Sequence, residues 1–122
     1  MKPITRRSNA PVFWGLFGAG GMLAALFGPV LVFITGIAVP LGVILPTDAM
    51  SWAHMQAFAQ HWAGKGLLFV VVALFMWHAM HRILHSLHDL GVHAGTAMKF
   101  ACYGLALLVT MITAWILVAV GF

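Results

Sequence analysis

From residue 12 to residue 45 the chain holds no charged side chain and is apolar almost throughout. As one helix that stretch would measure about 51 Å at 1.5 Å per residue, against a hydrocarbon core of about 30 Å. Part of it must lie outside the core, so the pattern predicts a first membrane span near 22–44, with 11–21 at an interface. Ser8 or Asn9 can cap this segment, and Pro11 suits a helix start. Pro29 and Pro40 lack backbone donors and are expected to kink or end the helix. Pro46-Thr47-Asp48 marks a short polar turn, and residues 51–63 are helical in period but mixed, with His54, Gln56, Gln60 and His61. A second span is expected near 62–84 and is closed by Gly91, a residue that a helix C-terminus favours. The third, 100–122, carries no charge. The expected fold is therefore an all-α membrane protein of one domain, 1–122, with three transmembrane helices.

Composition agrees with that pattern. The 122 residues are 63% hydrophobic and 7% charged, where a soluble domain carries about 25% charged residues. Lipid is the solvent that suits such a surface. Three helices enclose little core, so helices of a second chain are expected to pack against them. The apolar character continues to Leu45, past the reach of a signal-peptide core, so the N-terminal segment is expected to remain uncleaved.

Charge acts here as a topology signal. Lys2, Arg6 and Arg7 precede the first span, and Arg82 and Lys99 flank the loop between the second and third; only Lys65 lies at the other end. The positive-inside rule puts the N-terminus and the basic loop in the cytoplasm. A nucleic-acid partner would need a basic patch on a water-facing fold, and none is expected. Cys102 is the only cysteine, which excludes an internal disulfide and a cysteine-based metal motif. Lys65 is expected to snorkel outward without chemistry. Trp52, Trp62, Trp77 and Trp115 read as belt or packing residues.

Candidate chemistry concentrates near the end of the second span. His78, His81, Arg82, His85 and His88 recur at helical spacing on one face, Asp89 closes that stripe, and His93 follows in the loop. Ionisable residues at this depth face a bundle interior or a cavity. Three readings stand side by side. The stripe can be the wet end of a helix, with its side chains reaching head groups. It can ligate haem or a metal through imidazole, with His78 the deepest candidate at about 9 Å inside the span end; a second axial histidine would then come from another chain. Or it can serve a quinone, with Arg82 and a histidine donating to a quinone oxygen and taking up protons as quinol is oxidised. Trp14 has an indole N–H suited to the same oxygen, although tryptophan is common at membrane interfaces in any case. No phosphate loop, nucleophile elbow or flavin motif is present, so the chain alone is not a catalyst.

The run Pro11-Val12-Phe13-Trp14-Gly15-Leu16-Phe17-Gly18-Ala19-Gly20-Gly21 resembles the N-terminal signature of the D subunit of bacterial fumarate reductase, its smaller membrane anchor. His81-Arg82-x-x-His85-x-x-His88-Asp89-Leu90 and Phe100-Ala101-Cys102-Tyr103-Gly104-Leu105 resemble that family's second and third helices, in the same order. The resemblance implies an anchor in the bacterial inner membrane for a quinol:fumarate reductase, with a second anchor (the C anchor), an iron–sulfur subunit and a flavoprotein subunit as partners. It implies a menaquinol site beside the iron–sulfur subunit, lined by Trp14 and Arg82 with His81 and His85 nearby. Flavin and iron–sulfur clusters belong to the partners. The carboxylate that accepts a proton is expected from the C anchor. The best-known members of this two-anchor family are haem-free, yet His78 leaves open a haem-bearing arrangement like that of succinate dehydrogenase anchors. The rival of a different class is a histidine-rich, metal-binding membrane protein.

Overall fold

A computed structural model describes residues 10–93 and 95–122. Lys2, Arg6 and Arg7, and the proposed caps Ser8 and Asn9, lie outside the described residues. Helix α1 runs Ala10–Phe33, continues through a wider π turn at Ile34–Ala38, and ends in a short α2, Val39–Leu41. A surface helix, α3 (Trp52–Gln60), leads into α4 (Trp62–Asp89), and α5 covers Thr96–Ala119. Three helices are long and apolar enough to cross a membrane: Pro11–Leu41, Trp62–Asp89 and Thr96–Ala119.

The first helix is longer than the expected span, because the 11–21 segment is continuous with it. Pro11 stands in its first turn, where a missing N–H costs nothing. Pro29 does not end it: the residue sits inside α1. The π turn comes just before Pro40, with the Val39 N–H donating to the Ile34 carbonyl. A widened turn there gives the Pro40 ring room against the preceding carbonyls, which an α turn would bring into collision.

What stops the helices is left-handed glycine. Gly42 (φ 64°) and Gly91 (φ 79°) each follow a last helical turn. Around Gly91, its own N–H donates to the His88 carbonyl and the Val92 N–H to the Leu87 carbonyl, both at 3.0 Å. That paired pattern satisfies the end carbonyls of α4 and turns the chain toward α5. At the start of α4, His61 Nδ1 accepts from the Ala63 N–H at 3.3 Å.

Helix α4 lies between α1 and α5 and packs against both. Burial is slight. The buried apolar residues are Ala38, Val39, Ala73, Leu84, Cys102 and Ala106, four of them small, while Met22, Leu26, Val32, Phe100, Trp115 and Val118 are more than 60% exposed. Apolar side chains therefore face outward along every long helix, as lipid or partner helices require.

The α1–α4 contact is set by two glycines. A Cβ added at Gly20 would meet the Leu74 carbonyl and stand 2.8 Å from His78 Cβ; one at Gly21 would stand 2.9 Å from His78 Cε1. Gly15, Gly18, Gly28 and Gly36 face open space. Gly20 thus lets the two backbones approach, and Gly21 makes room for the His78 ring.

At the end away from the histidines, Lys65 is not the idle charge its sequence context suggests. Its ammonium donates to the Leu117 carbonyl at 2.5 Å and to the Gly121 carbonyl at 2.7 Å, and lies 4.6 Å from the Phe122 ring centroid. A helix leaves its last carbonyls unpaired, and a cation there satisfies both their hydrogen bonds and the helix dipole. Lys65 thus ties the start of α4 to the end of α5.

A candidate quinol pocket between the first two spans

The first turns of α1 present Phe13, Trp14 and Phe17; the last turns of α4 present His81, Arg82, His85 and Asp89. These seven residues line one half-open cleft of about 390 Å³. All four residues expected for a quinone, Trp14, Arg82, His81 and His85, are brought together there, although Trp14 lies on a different helix, far from the others in sequence. Helical spacing explains each contribution. Phe13 and Phe17 are four apart, and Arg82, His85 and Asp89 advance by three and four. Trp14 is 70% exposed and meets Phe17 edge-on, with centroids 6.2 Å apart.

The histidine stripe does not act as a unit. His78, the deepest, turns to α1: Nδ1–H donates to the Phe17 carbonyl at 3.1 Å, and the ring stacks on Phe17 at 4.8 Å and 12°. With one face on Phe17 and its edge in the Gly20–Gly21 notch, this ring takes part in packing α1 against α4. His81 sits between Phe17 (4.4 Å) and His85 (4.5 Å), with Nδ1 hydrogen-bonded to the Tyr103 hydroxyl at 2.9 Å. Tyr103 in turn packs 5.7 Å from Phe13 and 6.0 Å from Trp77. Trp77 Nε1 donates to Thr110 Oγ1 at 3.2 Å, a packing role. One end of α1, α4 and α5 is thereby joined through a single aromatic cluster. His88 and His93 meet edge to face at 5.5 Å, on the side of α4 that looks toward α5. Among the described residues, no three His, Cys, Asp or Glu side chains converge as a metal site would require.

Asp89 corrects the expectation that this chain supplies no carboxylate near the site. It lines the same cleft as Trp14 and Arg82. In sequence it stands seven residues beyond Arg82, two turns along the same face, which was a readable sign. Phe13, Phe17 and Tyr103 were missed as site residues. For the two phenylalanines the i, i+4 spacing beside Trp14 was the available signal; Tyr103 lies on another helix, and no local pattern reports its contact with His81.

Chemically, the cleft offers a guanidinium and an indole N–H as donors, imidazoles and a carboxylate as proton acceptors, and aromatic faces against which a planar ring can lie.

Comparison with known proteins gives one consistent answer. The family model for the D subunit of fumarate reductase matches residues 4–118. Proteins named as the fumarate reductase D subunit from Photobacterium profundum and Vibrio parahaemolyticus are each 49% identical over 105 residues, 86% of this chain and 87% and 83% of theirs. One of the same name from a Shewanella species is 44% identical over 113 residues, covering 92% of this chain and 93% of its own length. With three apolar helices, a matching family model and relatives of this similarity, the chain belongs to the family of fumarate reductase D subunits and is a multi-pass protein of the inner membrane.

Proposed function

We propose that this chain is a membrane-anchor subunit of a quinol:fumarate reductase and that the cleft between α1 and α4 is its share of a menaquinol oxidation site. The observation that carries the reading is the convergence of Trp14 with Arg82 and Asp89 on one cleft at the ends of two membrane helices. The proposed partners are a second anchor, an iron–sulfur subunit and a flavoprotein subunit, which reduces fumarate with electrons drawn from the quinol. The N-terminus and the histidine-bearing end face the cytoplasm, in keeping with five of the six Lys and Arg residues being on that side. Gly15, Gly18, Gly28 and Gly36 offer the second anchor a close approach.

Oxidation of a quinol releases two protons and two electrons. Arg82 and Trp14 donate hydrogen bonds to one quinol oxygen and fix its orientation, while Phe13 and Phe17 hold the ring. Phe17 also holds His81 in place through ring contact, and Tyr103 occupies its Nδ1, leaving Nε2 for the substrate side. Protons leave to His85 or Asp89, groups that can pass them to water at the mouth of the cleft. Electrons leave to the iron–sulfur subunit. The chain forms no covalent bond to substrate; its contribution is position and polarity.

The test separates quinol chemistry from assembly. Trp14→Phe and Arg82→Gln should each cut menaquinol-driven fumarate reduction by about tenfold or more, as loss of a hydrogen bond to a charged or polarised group does. Fumarate reduction by a soluble dye donor should be unchanged in both. If dye-driven activity falls in parallel, these residues hold the complex together and the quinol role is wrong.

A further inference from the structure

The side of α4 facing α5 carries a second cavity, whose His88, His93 and Lys99 the quinol reading does not use. It measures about 510 Å³ and is rimmed by His85, His88, His93, Lys99 and the Tyr103 hydroxyl, with Phe13 in its wall. Adjoining it, and sharing Phe13, Lys99 and Tyr103, is an almost wholly apolar groove of about 530 Å³ along α5, walled by Trp77, Phe100 and Leu107. Gly104 lies in that groove, and a Cβ there would meet nothing within 4 Å, so its floor is open. Thr96 opens the groove at the start of α5, where Gly95 is the N-cap and makes no side-chain cap bond. The first-turn N–H groups of that helix therefore add partial positive charge at the rim.

We propose that this composite cavity binds an anionic phospholipid, with its phosphodiester between Lys99 and the His88–His93 pair and one acyl chain along Phe100, Gly104 and Leu107. Three properties favour that occupant. The rim supplies a lysine, three imidazoles and a hydroxyl, and carries no carboxylate. The rim lies at the end of membrane-crossing helices, where head groups sit. The groove below it is apolar, which a free phosphate ion does not need and an acyl chain does. Basic pockets between transmembrane helices bind lipid phosphates in this way. The site borders the quinol cleft through Phe13, His85 and Tyr103, while His88, His93 and Lys99, the groups proposed to hold the phosphodiester, line only this cavity. Its occupancy would brace α5 against α4 where the loop between them is short.

The experiment uses the whole complex, purified in mild detergent and studied by native mass spectrometry with added phosphatidylglycerol, phosphatidylethanolamine or inorganic phosphate. Phosphatidylglycerol should be retained in preference to phosphatidylethanolamine. Lys99→Gln should lower its retention about fivefold, the effect of one basic residue at a membrane surface, and Lys99→Arg should keep it. Gly104→Leu, which fills the groove without touching the rim, should also lower it. Dye-driven fumarate reduction should be the same in all three variants. Equal retention of the two lipids would overturn the proposal, as would indifference to Lys99→Gln. So would displacement by millimolar phosphate, which would make this a site for the free ion. A photo-crosslink from position 104 to the second anchor would show that protein, not lipid, fills the groove.

Discussion

Gly20 offers the strictest test of how α1 meets α4. Adding one methyl group at this position places a Cβ 2.8 Å from His78 Cβ and into contact with the Leu74 carbonyl. Both are rigid: one is backbone and the other is fixed to it, so neither can rotate away. Overpacking of this kind costs about 1–3 kcal/mol, and contact with backbone puts it near the upper figure. Against this, Gly→Ala within a helix returns about 0.5–1 kcal/mol of conformational entropy. The net destabilisation of Gly20→Ala is then about 2 kcal/mol. Gly21→Ala should cost less, because its Cβ meets the far edge of the His78 ring, which can swing. Gly18→Ala meets nothing within 4 Å and should be neutral or slightly stabilising for this chain. Reversible unfolding in mixed micelles, with SDS as denaturant, gives the three values on one scale. The expected order of destabilisation is Gly20→Ala, then Gly21→Ala, then Gly18→Ala, with a span of about 3 kcal/mol. Because α1 must move off α4, Gly20→Ala should also weaken menaquinol-driven turnover more than dye-driven turnover. If Gly20→Ala and Gly18→Ala prove indistinguishable, the close approach of the two helices is wrong, and with it the cleft that depends on it.

Three further outcomes follow from single contacts. Lys65→Met removes the donor to the Leu117 and Gly121 carbonyls; unpaired carbonyls cost about 1–3 kcal/mol, and the amides of Val120 and Gly121 should exchange with deuterium faster than in the parent chain. Tyr103→Phe keeps the ring contacts with Phe13 and Trp77 but takes the hydroxyl from His81. Stability should fall by about 1 kcal/mol, and menaquinol-driven activity by a few fold as His81 loses its orientation, with dye-driven activity intact. Asp89→Asn retains shape and removes a proton acceptor from the cleft, so quinol-driven turnover should slow at constant assembly. An unaltered rate would leave His85 as the sufficient acceptor.

The order of residues alone dictates the solvent, the number of spans and the class of residue at the site. Continuous apolarity without charge is a local property, legible residue by residue, and so is the helix stop at Gly91, whereas the stop at Gly42 was not foreseen. The stripe from His78 to Asp89 was legible for the same reason, since spacing within one helix fixes a shared face. Proline was a weaker guide. Pro29 and Pro40 both remain within a helical segment: Pro29 inside regular α1, and Pro40 just after a turn that widens ahead of its ring, and no local rule says which a proline will do.

Which neighbour each side chain meets was settled by helix packing in three dimensions. Packing sent His78 into the Gly20–Gly21 notch, His81 to Tyr103, and Asp89 into the cleft with Trp14. It also turned Lys65 from a stray charge into the cap of α5. These pairings join residues far apart in the chain, and they depend on how helices rotate about their axes when they pack. In lipid that rotation is set by the fit of small residues and polar contacts rather than by an amphipathic stripe, because every face is apolar enough to meet the solvent. The pattern that makes the spans unmistakable is therefore the same one that hides their orientation.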